Sequence, residues 1–333
     1  MNMNTETLKK VGLICAFVLI MGTLAGYKYY GNSSITPTSE NVSTGRVAES
    51  ITGSVVKAFA NNDLAIELPP QPAPNAVAKG VVEVGASGFN TYIVKIDNQG
   101  NYAVKLKKFG NSLAYEGLTN ADEVKRGLKD YLALMLNKGV SPQNLHFVIS
   151  SGALKEPKTQ VIADGIRKAG FVVNEVSAEQ EGIWALQAAM HPKYKNSAFV
   201  VDVGSGNTKI SWYEGNAKRT IEASGAKYFQ NKQLTDADVM EELRNKVSQV
   251  PADKRKICFV IGGVPNYLAK THPNTGDDSA YIQLNNLDSY KVDDDAKNHS
   301  GVVILKAIQS VTECTYIFNN NAFFPIGFLA SLK

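Results

Sequence analysis

Two short stretches of this chain share one pattern, and that pattern restricts the fold more than any other feature. Phe199-Val-Val-Asp-Val-Gly-Ser-Gly-Asn-Thr-Lys-Ile-Ser-Trp212 reads as a strand, a glycine-containing turn and a second strand. Phe199, Val200 and Val201 form the apolar, β-branched run of a buried strand. Ile210 and Trp212 fall on one face of the next strand by alternation. Upstream, Val81-Val-Glu-Val-Gly-Ala-Ser-Gly-Phe-Asn-Thr-Tyr-Ile-Val-Lys-Ile96 repeats the arrangement. Each copy carries a carboxylate, Glu83 or Asp202, just ahead of its first glycine. Glycines let backbone N–H groups approach an anion, and a carboxylate beside them can hold a metal through water. A single Gly-Asn turn requires no such chemistry. Two copies about 120 residues apart imply a duplicated fold with two phosphate loops facing each other.

The segments around these hairpins alternate between strand and helix patterns, which implies an α/β architecture. Tyr102 to Phe109 continues the first hairpin. A helix is expected over Asn120 to Lys138, capped by Thr119 or Asn120, with Val124, Leu128, Leu132 and Met135 on one face. Leu145 to Ile149 is a buried-type strand, Pro157 opens a helix, Phe171 to Val176 is a strand, and Glu179 to Met190 is a helix. Beyond the second hairpin, Leu234 to Val250 contains a helix and Ile257 to Gly263 is a strand running into a Gly-Gly turn. That turn suits either a close approach to a nucleotide or a tight strand exit. Gly301 to Phe318 reads as a helix, and Phe323 to Leu332 as a strand followed by a short helix. Asp293 to Asp295 suits a solvated helix start better than a metal site.

Bulk composition narrows the partners. The 333 residues are 44% hydrophobic and 20% charged, with a net charge of +4, so nucleic-acid binding has no compositional support. Lys105, Lys107 and Lys108 fit a solvated strand edge as well as an anion site. The three cysteines show no Cys-x-x-Cys spacing, and Cys258 and Cys314 read as buried free thiols. The four histidines have no ligand spacing.

The N-terminus points to a membrane. Residues 1–10 carry Lys9 and Lys10, and residues 11–30 hold an apolar run ending in Tyr27, Lys28, Tyr29 and Tyr30. An uncleaved, single-pass signal anchor in the inner or plasma membrane fits the interfacial aromatics, with the folded part extracytoplasmic. A cleaved secretory signal ending near Thr23-Leu-Ala25 is the alternative. Residues 31–79 read as a linker, with a short amphipathic helix over Arg46 to Ala60 and a stiff Pro69-Pro-Gln-Pro-Ala-Pro74 spacer.

Four segments together resemble the exopolyphosphatase/guanosine pentaphosphate phosphohydrolase (Ppx/GppA) family of the actin–Hsp70–sugar kinase superfamily. Glu83-Val-Gly-Ala-Ser-Gly-Phe-Asn90 is similar to its first phosphate motif, Asp-hydrophobic-Gly-Ser-Asn-Ser-Phe. Ser150-Ser-Gly-Ala-Leu-Lys-Glu156 is similar to its Ala-Thr-Ser-Ala-Leu-Arg-Glu segment, and Val176-Ser-Ala-Glu-Gln-Glu-Gly182 to its Ile-Ser-Gly-x-Glu-Glu-Ala segment. Asp202-Val-Gly-Ser-Gly-Asn-Thr208 is similar to Asp-Ile-Gly-Gly-Gly-Ser-Thr. The resemblance spans about residues 80 to 333. It implies two actin-like (ribonuclease H-like) domains, at 80–195 and 196–333, with a cleft between them and the terminal helix returning to the first domain. It implies hydrolysis of phosphoanhydrides, in polyphosphate or a phosphorylated nucleotide. By the same resemblance, Glu181 is the general base, and Gly85, Ala86, Ser87, Gly88, Lys155, Gly204, Ser205, Gly206, Asn207 and Thr208 bind phosphate. Glu83 and Asp202 hold Mg²⁺ through water, and a homodimer is compatible with the pattern.

The chain also departs from that family. Glu83 replaces Asp, Ala86 removes a hydroxyl, Lys155 replaces Arg, and Ser205 and Asn207 replace Gly and Ser. Lys209 stands where the family has Glu, reversing a charge beside the cleft. Together these changes point to an altered substrate or to lost catalysis. The readings are therefore a membrane-tethered hydrolase, a degenerate member that binds phosphate or a protein partner, or an actin-like structural protein.

Overall fold

The computed structural model describes residues 56–59, 62–86, 88–110, 121–271, 279–284, 286–290 and 295–332. The expected membrane segment at 11–30, the cap at Thr119 or Asn120, and Ser87 lie outside the described residues. No helix among the described residues is long and apolar enough to cross a membrane.

The segment up to Leu68 is a unit of its own. Within it, β1 (Val56–Phe59) pairs antiparallel with β2 (Asn62–Glu67). This corrects the helix expected to run to Ala60. Val55 and Phe59 are four apart, and a spacing of four is also a multiple of the two-residue strand repeat, so one periodicity serves both structures.

The unit from Pro69 to Lys333 contains two sheets with the same wiring. In the first, β3 (Val77–Gly85), β4 (Gly88–Ile96) and β5 (Tyr102–Phe109) form an antiparallel meander, and β6 (Leu145–Ile149) and β7 (Val173–Glu175) add in parallel on the other side. The second repeats this with β8 (Ala198–Val203), β9 (Asn207–Glu214) and β10 (Ala217–Ser224), then β11 (Ile257–Gly262) and β13 (Thr315–Asn319) in parallel. β12 (Tyr281–Leu284) closes the second sheet antiparallel to β13. Strand orders β5-β4-β3-β6-β7 and β10-β9-β8-β11-β13 are the same topology twice, as the repeated hairpin implied.

The helices are α1 (Ala121–Asn137), α2 (Lys158–Lys168), α3 (Ala178–Ala189), α4 (Asp236–Val247), α5 (Gly263–Thr271), α6 (Ala296–Thr312) and α7 (Phe324–Ser331). The apolar stripe expected on α1, from Val124 to Met135, is buried. Phe199, Ile210 and Trp212 are buried in the core of the second sheet, against residues of α4 and α6 that include Leu243, Val247 and Ile304.

The C-terminal third departs from the sequence reading. α6 starts at Ala296, where Asp295 caps it, and ends at Glu313, whose φ of 52° is left-handed. The expected helix therefore stops early, and Thr315-Tyr-Ile-Phe-Asn319, rich in β-branched and aromatic residues, forms a strand instead. Phe323 is extended only as the cap of α7, so the expected strand there is absent. Cys258 and Cys314 are buried free thiols.

Two helices exchange places between the sheets. α3 follows the strands of the first sheet in sequence but packs on β8, β9 and β10, while α7, last in the chain, packs on β3 and β4 and against α3. Gly182 makes the α3 contact feasible, since a Cβ there would lie 2.0 Å from Thr220 Oγ1. Gly182→Ala is expected to destabilise the protein by about 1–3 kcal/mol through overpacking, read as a lower urea midpoint with an unchanged m-value.

Candidate active site

The site forms where the two hairpin turns and the start of α3 converge. In the first hairpin the register sets Glu83 opposite Asn90, and Asn90 Nδ2 donates to Glu83 Oε2 at 3.1 Å. In the second, Asp202 lies opposite Lys209 on β9, and Lys209 lies opposite Glu222 on β10. Directly opposed residues project from the same face, so Lys209 stands between two carboxylates. α3 covers that face and brings Glu181 in its first turn. Its N-terminus is fixed by a capping box in which Ser177 accepts from the Gln180 amide and Gln180 accepts from the Ser177 amide.

Glu181 and Lys209 form a buried ion pair. Lys209 Nζ is 2.9 Å from Glu181 Oε2, and the two side chains are 3% and 2% exposed. The same oxygen accepts the Ser151 amide at 3.1 Å and the Ser151 hydroxyl. Glu181 Oε1 makes no hydrogen bond among the described residues, and Glu181 lines the cavity. Asn207 Nδ2 donates to Ser151 Oγ and to Glu222 Oε1, both at 2.8 Å, tying the second turn to the Ser150-Ser-Gly152 segment.

The turns enclose a cavity of about 320 Å³. A Cβ on Gly206 would lie 2.7 Å from Gly152 Cα, so the second turn needs glycine to sit this close to that segment. Lys227 bridges the two turns: its ammonium donates to the Ala86 carbonyl at 3.0 Å, and its amide donates to the Ser205 carbonyl at 2.9 Å. The Gly262-Gly263 turn lines the far side together with Asn266 and Lys297. Tight strand exit explains Gly262, whose φ is +114° and whose Cβ would lie 2.3 Å from the Val203 carbonyl.

The carboxylates here are perturbed in opposite directions. Burial pushes Glu83 up to about 8; the Asn90 hydrogen bond opposes this, and the Glu181 and Asp202 charges add to it. Burial raises Asp202 to about 6 against the pull of Lys209. For Glu222 burial is outweighed by hydrogen bonds from Lys155 and Asn207, which hold it below the usual range. A carboxyl with a raised folded-state pKa binds its proton more tightly in the native state. The stability from Glu83 is therefore full below 4.5, is lost as pH rises to about 8, and is absent above that. Asp202 adds a similar loss between 3.8 and about 6. Urea midpoints measured from pH 4 to 9 are expected to show this decline, and Glu83→Gln is expected to flatten its upper part.

No family model matches the sequence, and no curated protein matches it. Solved structures do match. A Ppx/GppA family member of Aquifex aeolicus shares 19% identity over 77% of this chain and 97% of its own, with a TM-score of 0.57. An exopolyphosphatase from Cytophaga hutchinsonii shares 12% identity over 77% of this chain and 99% of its own, also at 0.57. The chain has the Ppx/GppA fold.

Within the Ppx/GppA fold, the expected site residues divide clearly. Glu83, Gly85, Ala86, Gly88, Glu181, Asp202, Gly204, Ser205, Gly206 and Asn207 all line the one cavity. Lys155 does not line it; its ammonium pairs with Glu222 at 2.7 Å on the exposed side. Thr208 is fully buried, and its Oγ1 has no partner among the described residues. Strand alternation turns Thr208 away from the face that carries Asn207 and Lys209. Sequence reasoning missed Ser151, Asn90 and Lys227, and it took Lys209 only for a reversed charge. The alternation Asn207, Lys209, Ser211 against Thr208, Ile210, Trp212 was the available signal: one face of a central strand is polar where a sheet normally packs.

The expected Mg²⁺ does not fit this donor set. Among the described residues no group of three or more His, Cys, Asp or Glu side chains is arranged to hold a metal. Glu83 already accepts from Asn90, and burial favours its neutral form. The ammonium of Lys209 already lies among the acidic groups, next to Glu181 and opposite Asp202. A divalent ion in that place would have to displace the ammonium or sit against a like charge.

Proposed function

We propose that the cleft binds a run of phosphates, as inorganic polyphosphate or on a phosphorylated nucleotide, and hydrolyses a phosphoanhydride bond. The observation that carries this reading is the geometry of Glu181. Three donors fix one carboxylate oxygen, leaving the other without a partner among the described residues in a glycine-lined cavity. A carboxylate held in this way is a positioned general base. Water attacks the phosphorus while its proton passes to Glu181 Oε1, and the bridging oxygen leaves with the electron pair of the broken P–O bond. Such a reaction needs alignment and charge neutralisation more than covalent help. The amides of Ser205 and Gly206 make no hydrogen bond among the described residues, and both residues line the cavity, so they are candidate donors to phosphate oxygens. Fold likeness to an exopolyphosphatase is consistent with this substrate class. The apolar run at 11–30 would tether the protein to the membrane with this domain outside the cytoplasm. A reporter fused to the C-terminus checks that topology.

One observation favours a second reading, in which the cleft binds phosphate without turnover. The Lys209 ion pair draws on the same carboxylate that must accept a proton. Phosphate release from polyphosphate and from guanosine pentaphosphate, measured with the full-length protein, separates the two. Release above the uncatalysed rate supports the hydrolase, and ligand binding without release supports the binder.

A further inference from the structure

We propose that Lys209 is the built-in cation of this cleft, so that the phosphate ligand binds without a divalent metal ion. The inference rests on the phosphate reading above and names what neutralises the ligand.

Lys209 is not a surface lysine folded inward. Its place in the middle strand of the β8-β9-β10 meander puts it between Asp202 and Glu222, and α3 closes over it with Glu181. Strand register and helix packing thus fix the ammonium among three carboxylates. A lysine that only balanced buried charge would be sealed off and its donors used up. Lys209 instead lines the cavity. Its ammonium has three N–H donors, and among the described residues Glu181 is its one ion-pair partner. Donor capacity is left for a phosphate oxygen. The second glycine turn is adjacent, since a Cβ on Gly204 would lie 3.7 Å from Lys209 Nζ. A phosphate seated on that turn would meet a fixed positive charge where a metal ion would have to displace one.

The test uses the full-length protein with tripolyphosphate as the probe, titrated calorimetrically in EDTA and again in Mg²⁺. The expected result is a Kd in EDTA within about threefold of that in Mg²⁺. Lys209→Met is expected to weaken binding by at least about tenfold in EDTA, while Lys209→Arg keeps a metal-free site. The Arg variant retains the buried cation, so it remains informative if the Met variant does not fold. Binding by the wild-type protein in Mg²⁺ that disappears in EDTA would overturn the inference and leave the phosphate reading standing. Absence of binding in both buffers would remove that reading and the inference with it.

Discussion

Replacing Lys209 with methionine is expected to destabilise the folded chain by about 3–5 kcal/mol, because a buried carboxylate would lose its partner. Lys209 and Glu181 are both almost completely buried at 2.9 Å, so solvent screens a missing partner far less than at the surface. Asp202 and Glu222 flank the same ammonium in register, so its loss leaves several acidic groups close together. Part of the penalty would be relieved by proton uptake, and the loss should therefore be larger at pH 8 than at pH 5. Urea unfolding of Lys209→Met and wild type at the two pH values checks this. The double variant Lys209→Met/Glu181→Gln should lose less than the two single effects added, because neither partner is then left charged alone. An effect below about 1 kcal/mol for Lys209→Met would mean that the pair behaves like an exposed one.

The second large effect concerns chemistry. Glu181→Gln is expected to lower phosphate release by roughly 10²–10⁴-fold, the usual contribution of a general base. The amide oxygen of glutamine can still accept from Ser151 and Lys209, so the helix start and the cavity should keep their shape. What is lost is the proton acceptor facing the cavity. Steady-state kinetics should therefore show the fall in kcat with KM nearly unchanged, since no group that holds the ligand has gone. A parallel rise in KM would place Glu181 among the ligand-holding groups.

How far the sequence could be read follows from which physical rules are local. The duplicated hairpins were legible because strand burial, glycine turns and alternation act within a few residues. Phe199, Ile210 and Trp212 are in the core as their pattern implied. α1 was legible through its apolar stripe. Local rules do not say which sheet a helix will cover. α3 is buried on both sides, by β8 to β10 and by α7, so it lacks the one-sided stripe that would point to its partner. Its position over Lys209 was therefore hidden. The end of α6 was misread because Val311, Thr312 and Thr315 to Phe318 continue an apolar, β-branched run past the break. The stop lies in the left-handed Glu313, a residue with no strong terminating signature. Thr208 was grouped with the phosphate residues on motif grounds, although alternation turns it inward. Lys155 was grouped with them at the position of the motif's arginine, but its ammonium pairs with Glu222 on β10.

A crystal structure of the protein with a non-hydrolysable imidopolyphosphate shows directly whether the cleft presents a phosphate chain to Glu181. A terminal phosphate is expected between Gly85 and Gly88 on one side and the Gly204–Asn207 turn on the other, with an oxygen on Lys209 Nζ. A water hydrogen-bonded to Glu181 Oε1 should lie about 3–3.5 Å from the terminal phosphorus. An analogue bound outside this cavity, or bound in it with its terminal phosphate away from Glu181, would contradict the account.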